Sequence, residues 1–255
     1  EVLCPAYTWH ASATPIIHCA ATPVFCDIRP ESLTIDPDEV ERVVTGGRPT
    51  VTFLCSPNNP TGVVEPEDAV RSVLAKVEAV DGLLLVDEAY GQFAPWSALT
   101  LVDDAAPLCV TRTFSKTWSM AAARLGYLVG PTWLVAELDK VTLPYHLDAL
   151  KQAAGRLALD YQDEMDQRVA TIVEERGRLT ARLAELPVDV WPSGANFILF
   201  RPRSGDGDGV WQALVDRSVL VRNCASWPRL DGCLRVTIGT PEEDDRFLTA
   251  LEEIL

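Results

Sequence analysis

Thr113-Phe114-Ser115-Lys116 puts a lysine three residues past one hydroxyl and next to another, and Arg124 follows eight positions later in Ala123-Arg124-Leu125-Gly126. A lysine amine can attack carbonyl carbon and shuttle protons, and an arginine with two hydroxyls matches a phosphate dianion through charge-assisted hydrogen bonds. Two further clusters precede it. Leu83-Leu84-Leu85-Val86-Asp87-Glu88-Ala89-Tyr90 ends an apolar run on an acid and a tyrosine, and Cys55-Ser56-Pro57-Asn58-Asn59-Pro60-Thr61-Gly62 directly follows the β-rich run Val51-Thr52-Phe53-Leu54. Taken singly, each has an ordinary structural reading: asparagine, proline and glycine make turns, an Asp-Glu pair opens a helix or loop, and a Ser-Lys pair is solvated surface. Their order along one chain is what raises the chemical reading above the structural one.

Such residues need elements to hold them. From the start to about residue 130, short β-branched or apolar runs alternate with helical stretches, which predicts a mostly parallel sheet with helices on its faces. In open sheets of this kind ligands bind at the carboxyl ends of the strands, where Asp87 and Tyr90 fall. A helix is expected over 65–80, opened by Pro66 with carboxylates in its first turn. The charged amphipathic stretch 146–186 predicts two helices with a break near Tyr161-Gln162-Asp163. After Pro187, strands are expected at Asn196–Phe200, Val219–Val221 and Leu234–Ile238, with a glycine-rich turn over Ser204–Gly209 and a helix at 210–217, giving a smaller α+β unit. The α/β fold therefore divides into residues 1–147 and residues 148–255.

Together N-N-P-T-G, D-E-A-Y and S-K with its arginine resemble the fold-type-I pyridoxal-phosphate-dependent aminotransferases, from Tyr7 to the C-terminus. The resemblance implies a cofactor-binding large domain over 1–147 and linking helices with a small domain over 148–255. It implies that Lys116 carries pyridoxal 5'-phosphate, Asp87 pairs with the pyridinium nitrogen, and Asn59 and Tyr90 donate to the ring 3-oxygen. Thr113, Ser115 and Arg124 would hold the cofactor phosphate, and Tyr7 would stack on the ring; an aromatic beside Pro5 could equally pack in a core. Leu143-Pro144-Tyr145-His146-Leu147 and the run from Val221-Arg222-Asn223 to Thr240-Pro241-Glu242-Glu243 resemble the histidinol-phosphate aminotransferase subfamily. There Arg222 would meet the phosphate on the substrate side chain and Arg235 the carboxylate of glutamate or 2-oxoglutarate, a bidentate task that suits arginine. Threonine-phosphate decarboxylases, aromatic aminotransferases and a catalytically silent module share the scaffold. Ser226-Trp227-Pro228-Arg229 departs from the family pattern. So does the start, since relatives carry a further N-terminal segment with an arm, the first sheet strand and a phosphate loop, which is expected to be missing ahead of Glu1. Family sites shared between subunits imply a homodimer.

Composition narrows the alternatives. A chain of 255 residues with 47% hydrophobic content can bury a large core, and a formal charge of -15 disfavours nucleic acid and anionic lipid. No apolar run approaches the roughly 20 residues of a membrane-spanning helix, and Glu1–Tyr7 lacks the pattern of a secretory signal, so the cytoplasm is the expected compartment. The seven cysteines are scattered without a C-x-x-C pair and are expected as reduced, buried side chains. His10, His18 and His146 follow no metal spacing and receive no catalytic role.

Overall fold

The computed structural model describes residues 2–5, 16–17, 21–30, 32, 34–44 and 50–255. Strands β1 (Val2–Pro5), β2 (Pro23–Cys26), β3 (Val51–Cys55), β4 (Leu83–Asp87), β5 (Leu108–Thr113) and β6 (Gly126–Val129) form one sheet in the order β2-β1-β3-β4-β5-β6. All neighbours are parallel except β5 and β6. Burial strictly alternates along β4: Leu84 and Val86 are buried in the main core while Leu83, Leu85 and Asp87 are half-buried on the other face. A strand's period of two thus turns Asp87 away from that core.

Helix α1 (Pro37–Val44) and helix α2 (Glu67–Glu78) cover the core face. In α2, Val70, Val73 and Val77 recur at helical spacing and are fully buried, each contributing about 1.5 kcal/mol or more over exposure. Beyond β6 lie α3 (Thr132–Val141), α4 (Ala149–Ala158), a short 3-10 turn at Leu159–Tyr161, and α5 (Gln162–Ala184). The expected break near residue 161 is this turn. Arg176 of α5 donates to the carbonyls of Phe93 (3.1 Å) and Ala195 (2.8 Å), tying the first sheet's loops to the start of the second unit.

That second unit is a sheet in the order β7-β8-β10-β9, from β7 (Val188–Val190), β8 (Phe197–Pro202), β9 (Arg222–Asn223) and β10 (Leu234–Thr237), all antiparallel. Helices α6 (Gly207–Asp216) and α7 (Pro241–Ile254) close its core. Two expectations shift. Val219–Val221 is not a strand: Val219 N–H bonds the carbonyl of Leu214, and the Val221 carbonyl accepts from Trp211 Nε1 at 3.0 Å, so the run docks the end of α6 instead of pairing. The glycine-rich turn is cut short because Asp206 caps Gly209 N–H and starts the helix at Gly207.

Glu65 ends the loop between β3 and α2 in full burial. Its Oε1 accepts from Ile35 N–H at 3.0 Å, while Oε2 has no partner among the described residues. Burial raises its pKa from 4.5 to about 7, only partly opposed by the Ile35 bond and Arg29. The folded state therefore holds the proton that the unfolded state releases, and stability present below pH 4.5 is lost as pH rises through about 7. Glu65→Gln should flatten this slope in denaturant midpoints taken from pH 4.5 to 8; an unchanged slope would show that another group is responsible.

Candidate functional site

The carboxyl ends of β3, β4 and β5 and the loops after them open into a cleft of about 560 Å³, within the range of small-ligand sites. Parallel register aligns the three strand ends, since Cys55 pairs with Asp87 and Asp87 with Thr111. Asp87 lines the cleft with Oδ1 accepting from Ala89 N–H at 2.9 Å, and its pKa is raised, chiefly by burial. A carboxylate so placed is stabilised by a cationic N–H partner. Glu88 faces the opposite way: it is buried, pairs with Arg112 at 2.8 Å, and accepts from Ser97 and from Ala98 N–H. Nothing in the sequence marks this ion pair, because Glu88 follows directly on Asp87 yet points away from it, and its partner Arg112 lies 24 residues on.

Asn59 enters from the loop after β3, which Gly62 closes at φ 79°, where a Cβ would fall 2.4 Å from Ser193 Oγ. Tyr90 is buried, edge-on to Phe197 at 5.1 Å, and burial pushes its phenol pKa up. Lys116 sits in the turn after β5, its Nζ 5.2 Å from the Tyr90 ring centroid. Its side chain opens to the cleft, yet partial desolvation, then Arg235 and Arg124, hold its ammonium pKa below the lysine range. Thr113 Oγ1 and Ser115 Oγ lie 2.8 Å apart, and Ser115 N–H donates to Thr113 Oγ1 at 3.0 Å. Arg124 completes that side, held at φ 52° and bonded to the Ala121 carbonyl at 3.2 Å.

The second unit supplies the opposite wall. Arg222 of β9 and Arg235 of β10 are directly paired across the antiparallel ladder, and both line the cleft. Like charges opposite one another repel. Arg235 lies over the Phe197 ring at 4.6 Å and donates through Nη1 to Asn59 Oδ1, which leaves the Asn59 amide N–H groups as its donor end. Trp227 lines the same wall, whereas Arg229 turns away toward Asp27 at 3.7 Å. Among the described lining residues, Lys116, Arg124, Arg222 and Arg235 make no ion pair, and Asp87 is the sole carboxylate. The cleft is built for anions.

Of the residues singled out in the sequence, Asn59, Asp87, Tyr90, Thr113, Ser115, Lys116, Arg124, Arg222 and Arg235 all line this cleft. Tyr7 lies outside the described residues. The six described cysteines are free and buried, and Cys19 also lies outside. No helix among the described residues is long and apolar enough to cross a membrane.

A mostly parallel sheet bearing a lysine, an acid and an anion cradle at its strand ends, faced by a smaller antiparallel unit, defines the α/β fold of pyridoxal-phosphate-dependent transferases. The chain belongs to the aminotransferase class I and II family, whose model matches residues 1–251. It is 41% identical over 256 residues to the histidinol-phosphate aminotransferase of Frankia casuarinae, covering 98% of this chain and 62% of that relative. The chain thus spans under two thirds of that relative's length. Among solved structures, the histidinol-phosphate aminotransferase from Clostridium acetobutylicum matches with TM-score 0.89 at 20% identity, covering 99% of this chain and 77% of that one. The histidinol-phosphate aminotransferase from Sinorhizobium meliloti, in complex with pyridoxal-5'-phosphate, matches with TM-score 0.83 at 24% identity, covering 99% and 69%.

Proposed function

We propose that this chain carries the catalytic site of a transaminase that moves an amino group between glutamate or 2-oxoglutarate and histidinol phosphate or imidazole acetol phosphate, in histidine biosynthesis. The observation that carries this reading is the cleft with four unpaired cations around one carboxylate and one lysine amine. Pyridoxal phosphate fits that donor set: a phosphate for Arg124 and the adjoining Thr113 and Ser115 hydroxyls, a ring nitrogen for Asp87, a ring oxygen for Asn59 and Tyr90. When bound, the cofactor supplies an electron sink for the pair released as the substrate loses its α-proton.

The protein's own residues do the rest. The Asp87 carboxylate keeps the facing heterocyclic nitrogen protonated. The Lys116 amine, whose neutral form its surroundings favour, would hold the cofactor and, once freed by substrate, would take the proton from Cα and return it. Arg235, anchored between Asn59 and Phe197, presents its fork to the α-carboxylate of glutamate, and Arg222 across the ladder takes the phosphate of histidinol phosphate.

Separate half-reactions test the substrate. Losing one charge-assisted contact costs on the order of 1.5 to 3 kcal/mol, roughly ten- to a hundredfold in kcat/KM. Arg222→Ala should take that loss with histidinol phosphate and far less with glutamate, whereas Arg235→Ala should take it with glutamate, whose α-carboxylate histidinol phosphate lacks. Equal losses for Arg222→Ala would assign it a carboxylate or a structural role, and no loss would remove the phosphate-bearing substrate.

The likeness to the family further supports a homodimer. Val141, Leu143, Tyr145 and Leu150 are 74%, 73%, 97% and 82% exposed from the end of α3 to the start of α4, a run of large apolar side chains in water of the kind that marks an interaction surface. Sedimentation equilibrium of the full-length protein checks it, a single monomeric species being the adverse result.

A further inference from the structure

We infer that Gln92 and Thr117 are positioning residues, whose mutual hydrogen bond, seated on α5, fixes the Lys116 amine against Tyr90 from behind the cleft. The inference rests on the reading of Lys116 as the reactive amine and deepens it.

Each of the two stands beside a site residue in the chain. Gln92 lies two positions after Tyr90 in the short 3-10 turn Gly91–Phe93, and Thr117 directly follows Lys116. Neither lines the cleft. Thr117 is 2% exposed, and its Oγ1 donates to Gln92 Oε1 at 3.0 Å. Strands β4 and β5 end at Asp87 and Thr113, so the sheet's ladder no longer aligns the loops that carry Tyr90 and Lys116. The Gln92–Thr117 bond joins those loops directly.

The turn after Lys116 needs such support. Ser119 N–H bonds the Lys116 carbonyl at 3.1 Å, and Ser119 itself is held at φ 56°, a left-handed conformation that a non-glycine residue keeps only where its surroundings enforce it. Helix α5 is the seat. Met165, Arg168, Ile172 and Arg176 recur at helical spacing on it. Arg168 Nη1 donates to the Thr117 carbonyl at 3.2 Å and to Ser119 Oγ at 3.3 Å, and Gln92 Nε2 lies 3.8 Å from Met165 Sδ. Ile172 packs against the cluster of Tyr90 and Phe93, whose carbonyl Arg176 holds. One helix thus grips both turns.

Satisfying a hydroxyl does not require this partner. Thr142, Thr171 and Thr180 each donate to the carbonyl four residues back, whereas Thr117 reaches a side chain on another strand's loop. The consequence falls on the amine. Lys116 Nζ lies 5.2 Å from the Tyr90 ring centroid, in a cleft whose other charged groups are Arg112, Arg124, Arg222, Arg235 and Asp87. Partial desolvation, then Arg235 and Arg124, favour its neutral form, and both effects weaken once a loosened turn lets the amine move outward.

The test uses the full-length protein. In the holoenzyme, Thr117→Val, which keeps the shape and loses the donor, should lower kcat roughly tenfold with KM for glutamate within about twofold, and Thr117→Ser should hold kcat within about threefold of wild type. Gln92→Leu should match Thr117→Val, and the double variant should be no worse than either single one, since the same bond is lost in each. With the cofactor removed, the pH profile of Lys116 acetylation by acetic anhydride, read by mass spectrometry, is independent of turnover. Its midpoint should be the same in the wild type and Thr117→Ser, and should move up toward the ordinary lysine range in Thr117→Val and Gln92→Leu. A midpoint unmoved in both, losses that add in the double variant, or a Thr117→Ser that behaves as Thr117→Val would overturn the inference. A wild type whose Lys116 forms no borohydride-fixed bond with pyridoxal phosphate would sink the transaminase reading, while the acetylation midpoints still judge Gln92 and Thr117.

Discussion

Lys116→Ala should abolish the bond that borohydride fixes between the protein and added pyridoxal phosphate, and should lower turnover by about 10⁴-fold or more. Lys116 supplies the only amine among the described residues lining the cleft. Partial desolvation and the nearby charges of Arg235 and Arg124 favour its neutral form, which is the form that attacks carbonyl carbon. Alanine removes both the attachment and the base, so two functions fail together. The side chain opens to the cleft and makes no ion pair among the described residues, so its removal should move the unfolding midpoint little. Mass spectrometry of borohydride-treated, digested protein reads the result. An adduct that survives on another lysine would reassign the site.

Asp87→Asn should fold normally and still lose roughly 10³-fold in turnover, because an amide cannot hold a facing ring nitrogen in its protonated state. The bond from Ala89 N–H at 2.9 Å requires only an acceptor oxygen, which asparagine keeps. The sign of the stability effect follows from burial. Burial raises the Asp87 pKa, so without a cationic partner the folded state loses stability as pH climbs past the ordinary carboxylate range. Asparagine escapes that loss. The cofactor-free variant should therefore melt at or above the wild-type temperature at neutral pH, and the order should reverse when pyridoxal phosphate is added. Melting curves with and without cofactor check both halves; near-normal turnover would take Asp87 out of the mechanism.

Much of this site is legible in the sequence because its parts sit at strand ends, and strand ends are marked locally. The apolar run Leu83–Val86 and the turn residues after Cys55 and Thr113 each announce a carboxyl terminus, and parallel register brings such termini together. Long-range partners are not marked in that way. Nothing near Arg235 in the sequence points to Asn59 or Phe197, and nothing near Arg176 points to the carbonyls of Phe93 and Ala195. Val219–Val221 has β-strand composition, yet Trp211 and Leu214 claim its hydrogen-bonding groups. Helix α7 does carry a local mark, since Thr240 and Glu243 form a capping box with Pro241 at the first turn.

The unpaired cations of the cleft lie on a chain whose formal charge is -15. An anionic substrate therefore meets two fields of opposite sign, repulsion from the whole molecule at a distance and attraction once it is within reach of Arg222 and Arg235. Salt screens the first more than the second, because the Debye length is about 10 Å at 0.1 M and the close contacts are partly desolvated. Association should accordingly quicken when salt is first added to a dilute buffer, and affinity should decline only at high ionic strength, where the added anions themselves compete for the arginines.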